Sequence, residues 1–88
     1  MVRNMTSREV ISLVILTPEN TLMEKHVCKV SLPGTKGRFM VLKDHAPLIS
    51  SLGDGDVVFE SEGITDKIHI SSGFVEVHNN KVTVCAEV

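Results

Sequence analysis

The apolar positions of this chain recur at a spacing of two or in short unbroken runs. No window of ten or more residues combines apolar groups at three-to-four spacing with a helix cap. Val10 to Leu16 is almost continuously apolar and rich in β-branched residues, the pattern of a strand covered on both faces. Pro18 ends it. From Met23 to Leu32 the pattern alternates, with Cys28, Val30 and Leu32 on one side and Val27, Lys29 and Ser31 on the other, which predicts one second strand. Pro33-Gly34 reads as a type II turn, proline fixing φ at the first central position and glycine taking φ > 0 at the second. Gly37 closes that loop, and Phe39 to Leu42 is strand-like. Ala46 is held extended by Pro47. Leu48 to Leu52 is apolar at its ends with Ser50-Ser51 inside. Gly53 to Asp56 forms a turn before the strand Val57-Val58-Phe59. Glu62-Gly63 signals a hairpin, and Ile68 and Ile70 alternate with Lys67, His69 and Ser71.

The last hairpin is the best defined. Asn79-Asn80 tolerates the positive φ that a type I′ turn needs. Folding about it places His78 opposite Lys81, Val77 opposite Val82 and Val75 opposite Val84, so four valines share one face. Phe74 meets Cys85 on the other face, beside Glu76 and Thr83. A one-residue slip would mix the two faces, so the register is well specified. Many short strands separated by turn signals predict an all-β sandwich or barrel, mostly antiparallel. Residues 1–9 are polar and aperiodic and read as a flexible tail, with Met5 as an alternative start; residues 10–88 read as one domain.

Composition narrows the function classes. The 88 residues hold three Phe and no Trp or Tyr, so the core is aliphatic. A net charge of −2 with both signs dispersed argues against a phosphate-backbone partner, which needs a basic face. Two cysteines, Cys28 and Cys85, are no disulfide scaffold. They read as reduced, buried small hydrophobes in a cytoplasmic protein, the rival being a single bridge in an exported one. Arg3 and Arg8 precede the run Val10 to Leu16, but that run is short and no small-residue cleavage site follows it.

Candidate chemistry is thin. His26, His45, His69 and His78 match no metal-ligand spacing and read as scattered surface or satisfied histidines, so no metal is expected. No elbow presents Ser50-Ser51 or Ser71-Ser72 as a nucleophile, and Cys28 and Cys85 have no local cause for a lowered pKa. Gly34 and Gly37 lie between strands, which argues against a phosphate loop. Asp54 and Asp56 lack the further ligands of a calcium loop and read as turn residues. Three classes compete: a binding module, a carrier domain of the biotinyl or lipoyl type, and a small enzyme. The hairpin-tip lysines Lys36 and Lys81 lack the Asp or Met neighbours of a carrier lysine. No catalysis and no cofactor are expected.

Five motifs in order carry a resemblance. They are Thr17-Pro18-Glu19, Leu32-Pro33-Gly34-Thr35-Lys36-Gly37, His45-Ala46-Pro47-Leu48, Ser72-Gly73 leading into Phe74-Val75-Glu76-Val77, and Lys81-Val82-Thr83-Val84. Together they resemble the N-terminal domain of the ATP synthase epsilon subunit, from about Val10 to Val88. The resemblance implies a flattened sandwich of about ten strands and a non-catalytic central-stalk subunit. Such a subunit binds the gamma subunit and the ring of c subunits, and couples ion movement to ATP synthesis. It lies peripherally on the cytoplasmic face of the plasma membrane. By motif, Thr35, Lys36, Gly37 and Arg38 fall at the ring contact and Thr17, His45 and Ser50 at the gamma contact. Pro33, Gly34, Pro47, Gly73, Asn79 and Asn80 are the structural turn residues.

Some positions depart from the family pattern. Ser72 stands where the first of two glycines is usual. Arg38 stands where an acidic residue is common, which implies carboxylates or carbonyls opposite it on the ring. Asp44 stands for a usual glycine, where it stiffens the turn or adds a hydrogen bond. The family's helical hairpin would begin after Val88. The expectation is therefore a short form that couples but provides neither hairpin-based inhibition nor ATP binding, the rival being a form that continues past Val88.

Overall fold

The computed structural model describes residues 9–88. The tail reading of residues 1–8, with Met5 as a start, lies outside the described residues. The run of β-branched and alternating residues forms nine strands: β1 Ile11–Leu16, β2 Thr21–Val27, β3 Lys29–Leu32, β4 Phe39–Val41, β5 Leu48–Leu52, β6 Gly55–Ser61, β7 Ile64–Ile70, β8 Ser72–His78 and β9 Lys81–Glu87. They make a five-stranded sheet, in the order β2-β1-β9-β8-β5, and a four-stranded sheet, in the order β4-β3-β6-β7. All pairings are antiparallel except β1 with β9, which brings the two ends of the described chain together as parallel neighbours.

The inward faces meet in one aliphatic core. Ile11, Leu13 and Ile15 of β1, with Val75, Val77, Val82, Val84 and Ala86 of β8 and β9, face Val30, Leu32, Val57, Phe59 and Ile70 of the other sheet. Each fully buried side chain of this kind contributes about 1.5–3 kcal/mol, which offsets the ordering cost of so many short strands. Phe59 is the one aromatic in this core, in keeping with an aliphatic interior.

The terminal hairpin has the expected register, with His78↔Lys81, Val77↔Val82, Val75↔Val84 and Phe74↔Cys85. Asn79 and Asn80 take φ of 50° and 61°, as a type I′ turn demands. Glu62 and Gly63 do the same at the β6–β7 hairpin, with φ of 52° and 78°.

Three expectations need correction. Met23 to Leu32 is not one strand. The chain bends at Cys28 and passes from one sheet to the other, so Val27 and Val30 both point into the core although they are three residues apart. The corner is fixed because Cys28 N–H donates to Glu60 O at 2.8 Å, and Ser61 Oγ donates to His26 O at 3.1 Å. Both cysteines are only half-buried.

The Pro33-Gly34 turn is not type II, for Gly34 does not take positive φ. Gly34 N–H instead donates to Leu32 O at 3.0 Å, a γ-turn centred on Pro33, and Gly37 N–H closes a following turn on Gly34 O at 3.0 Å. Positive φ falls on Gly37, at 131°. Gly34 is needed for closeness: a Cβ there would lie 2.6 Å from Gly37 O and 3.0 Å from the Phe39 ring. The nine strands of the described residues, with an isolated bridge from Gly34 to Leu52 beyond β3, accord with the sandwich of about ten that the resemblance implied.

Candidate functional site

The Pro33–Arg38 loop leaves the four-stranded sheet and lies along the end of β5 in the other sheet. Gly53 N–H donates to Pro33 O at 2.8 Å, and Thr35 N–H donates to Ser51 O at 3.2 Å. The hydroxyls of Thr35 and Ser51 share a hydrogen bond at 2.9 Å. The loop is thus stitched to the backbone of β5 and the turn after it, while Thr35, Lys36, Gly37 and Arg38 remain exposed. Lys36 carries its charge outward at the tip.

Arg38 is exposed and also makes contacts within the chain. Its guanidinium donates to Ser31 Oγ at 2.8 Å and to the backbone carbonyl of Asp56. The residue works as an internal strut between loop, β3 and β6.

Next to that strut sits a cluster that motif spacing did not suggest. Nδ1 of His69 lies 2.9 Å from Asp56 Oδ1, and Nε2 lies 3.0 Å from Asp54 Oδ1. Lys67 Nζ is 3.7 Å from Asp56 Oδ2. The hydrogen bond to Asp56, and after it the one to Asp54, holds the His69 imidazole above its ordinary 6.5. The same contact, aided by Lys67, holds the Asp56 carboxyl below its ordinary 3.8. A signal did exist in the sequence: a two-residue turn at Glu62-Gly63 pairs Ser61 with Ile64, and counting back from there pairs Asp56 with His69.

Thr17, His45 and Ser50 are not brought together. Thr17 sits in the β1–β2 turn, where its N–H donates to Asn20 O at 2.8 Å and its Oγ1 accepts from Asn20 N–H at 3.2 Å. That turn follows Leu16, which pairs with Cys85 near the end of β9. His45 lies by the opposite end of the same sheet, in the loop tied to the β8–β9 turn: Asp44 N–H donates to Asn80 Oδ1 at 2.6 Å, and Asn80 Nδ2 returns a bond to Asp44 Oδ1 at 3.1 Å. Asp44 takes φ of 63°. Of the two consequences expected of it, the hydrogen bond is present, as a reciprocal clasp between Asp44 and Asn80. Ser50 lies mid-strand on the edge strand β5, opposite Val75.

The outer face of the five-stranded sheet is partly apolar. Leu16, Cys85 and Phe74 follow one another across β1, β9 and β8, and Phe74 is 51% exposed. Beside this row Gly73 has no room for a side chain: a Cβ would lie 2.2 Å from Cys85 O and 2.9 Å from Ala86 Cα.

The described residues make an all-β sandwich whose polar loops are stitched to its sheets. The beta-sandwich domain of the ATP synthase delta/epsilon chain matches residues 10–88, and the chain belongs to that family. It is 42% identical over 76 residues to the ATP synthase epsilon chain of Maridesulfovibrio salexigens, covering 86% of this chain and 54% of the relative. It is 46% identical to that of Carboxydothermus hydrogenoformans, covering 86% and 57%. The chain therefore spans little more than half the length of these relatives. In fold it is similar to a chain of the Euglena gracilis mitochondrial ATP synthase, with a TM-score of 0.81 at 24% identity, covering 86% of this chain and 49% of that one. It is also similar to a chain of the Tetrahymena thermophila mitochondrial ATP synthase central stalk and c-ring, with a TM-score of 0.74 at 10% identity, covering 89% and 63%.

Proposed function

We propose that this chain is a non-catalytic rotor subunit of the central stalk of an F-type ATP synthase. It docks on gamma and on the c-ring, and so couples ion translocation to ATP synthesis. The observation that carries the reading is family membership across residues 10–88. The geometry supports it: a sheet-backed loop, Thr35 to Arg38, presents a stiff tip, and torque transmission needs a body that does not yield at its contacts. Thr35, Lys36, Gly37 and Arg38 are the residues assigned to the ring, and Arg38 also braces the loop against Ser31 and Asp56. Thr17, His45 and Ser50 are assigned to gamma. Because they are spread along one sheet, gamma would span that sheet and cover the half-exposed Leu16–Phe74 row. The chain is placed peripherally, on the cytoplasmic face of the plasma membrane, within the assembled complex. Among the described residues no helix is long and apolar enough to cross a membrane.

Co-expression with gamma followed by native mass spectrometry tests this reading, and a stable one-to-one complex is expected. Failure to associate with any stalk subunit overturns it. Lys36→Glu is expected to weaken retention on isolated c-ring while leaving the gamma complex intact.

A further inference from the structure

We propose that His69 is a protonation-dependent positioning residue for the Pro33–Arg38 loop. This rests on the reading of that loop as a docking element.

The geometry selects the protonation state. Both ring nitrogens lie at hydrogen-bonding distance from carboxylate oxygens, 2.9 Å to Asp56 and 3.0 Å to Asp54. A neutral imidazole has a single N–H, so it satisfies one of these contacts and turns a lone pair toward the other carboxylate. The doubly bonded arrangement belongs to the imidazolium. In that form His69 ties both Asp54, in the turn ahead of β6, and Asp56, at the start of β6, to the edge strand β7. Loss of the proton releases one arm and leaves like-signed electron density facing it. The raised pKa of His69 agrees with this and follows from the same two contacts.

The turn held by His69 is the seat of the docking loop. Gly53 N–H binds Pro33 O at 2.8 Å, and Asp56 O receives the Arg38 guanidinium. Between them Gly55 is pressed on Pro33, where a Cβ would come within 2.9 Å of the proline Cβ. Any loosening of Gly53 to Asp56 therefore reaches Pro33 and Arg38 directly. The charged groups around the ring are Asp54 and Asp56 from β6 and its preceding turn, Lys67 from β7 itself, and Arg38 from the β3–β4 loop. Deprotonation lowers the charge of this end by one unit. An ion-driven machine would thereby carry a loop whose stiffness follows the pH of its own compartment.

Hydrogen exchange on the full chain tests the proposal, with histidine ring shifts followed by NMR across about pH 5.5 to 9. Comparing native chain with His69→Gln at each pH cancels the intrinsic pH dependence of exchange. Below the His69 midpoint the Thr35 and Gly53 amides of the native chain should be protected on the order of two- to fivefold more than in the variant, the scale of an exposed ion pair. Above the midpoint the two should converge. Asp54→Asn should keep the fold and move the midpoint down toward the ordinary histidine value. A protection ratio that does not change with pH, or a His69 midpoint at or below the ordinary value, overturns the proposal. Retention on isolated c-ring measured over the same range separates the two readings. If protection follows pH and retention does not, the positioning role stands and the ring-docking role of the loop falls.

Discussion

Gly73 and Gly63 show that one residue type answers different demands. At Gly73 the carbonyl of Cys85 and the Cα of Ala86 occupy the space a side chain needs, and φ is 154°. Both obstacles are backbone and neither can swing aside. Gly73→Ala should cost about 2–4 kcal/mol in urea unfolding, combining backbone strain with overpacking. Gly63, with φ of 78°, has open space around it. Gly63→Asn should cost under ~1 kcal/mol, since asparagine tolerates the left-handed region. The Asp44–Asn80 clasp is a second residue-scale device. A cycle of Asp44→Gly, Asn80→Ala and the double variant should give a coupling of roughly 0.5–1.5 kcal/mol by denaturant unfolding. A coupling of zero would mean the clasp contributes nothing in solution.

At the scale of elements, β1 is the keystone of the larger sheet. It pairs antiparallel with β2 and parallel with β9, and its inward residues Ile11, Leu13 and Ile15 are wholly buried. Leu13→Ala removes a side chain with partners on every side and should cost about 2–5 kcal/mol. In a domain whose total stability is of order 5–15 kcal/mol, that is enough to populate unfolded chain at moderate temperature. Ile49, on edge strand β5, is 74% exposed. Ile49→Ala should change stability by less than about 0.5 kcal/mol, as surface substitutions do. Thermal melts of the two variants side by side check that the core lies where the strand faces place it.

For the whole molecule, pH acts through the end that carries Asp54, Asp56 and His69. The Asp56 pKa is lowered on folding, so its contribution is present above the ordinary 3.8 and is lost as pH falls through the lower folded value. The His69 pKa is raised, so its contribution is complete below the ordinary 6.5 and is lost as pH rises through the higher folded value. Urea midpoints should therefore form a plateau between these two ordinary values and decline on both flanks. In His69→Gln the alkaline decline attributable to this pair should vanish. The effects are small, because the groups face water.

Periodicity and turn chemistry alone determined the class of fold, the aliphatic core, the terminal hairpin and its register. These are local properties: side chains alternate across a strand, and a two-residue turn fixes which residues face each other. Asp56 opposite His69 was legible by the same counting from Glu62-Gly63. The tertiary structure decided what depends on contacts distant in sequence. Cys28 became a corner between sheets because its N–H found Glu60 O, and Gly34 and Gly73 were fixed by neighbouring atoms more than by their own φ. Arg38 bridged the loop to β3 and β6 because Ser31 and Asp56 stood within reach, and the parallel pairing of β1 with β9 joined segments that no local pattern connects. The motif order pointed to a docking protein, but how its loops are braced was settled only when residues far apart in the chain became neighbours.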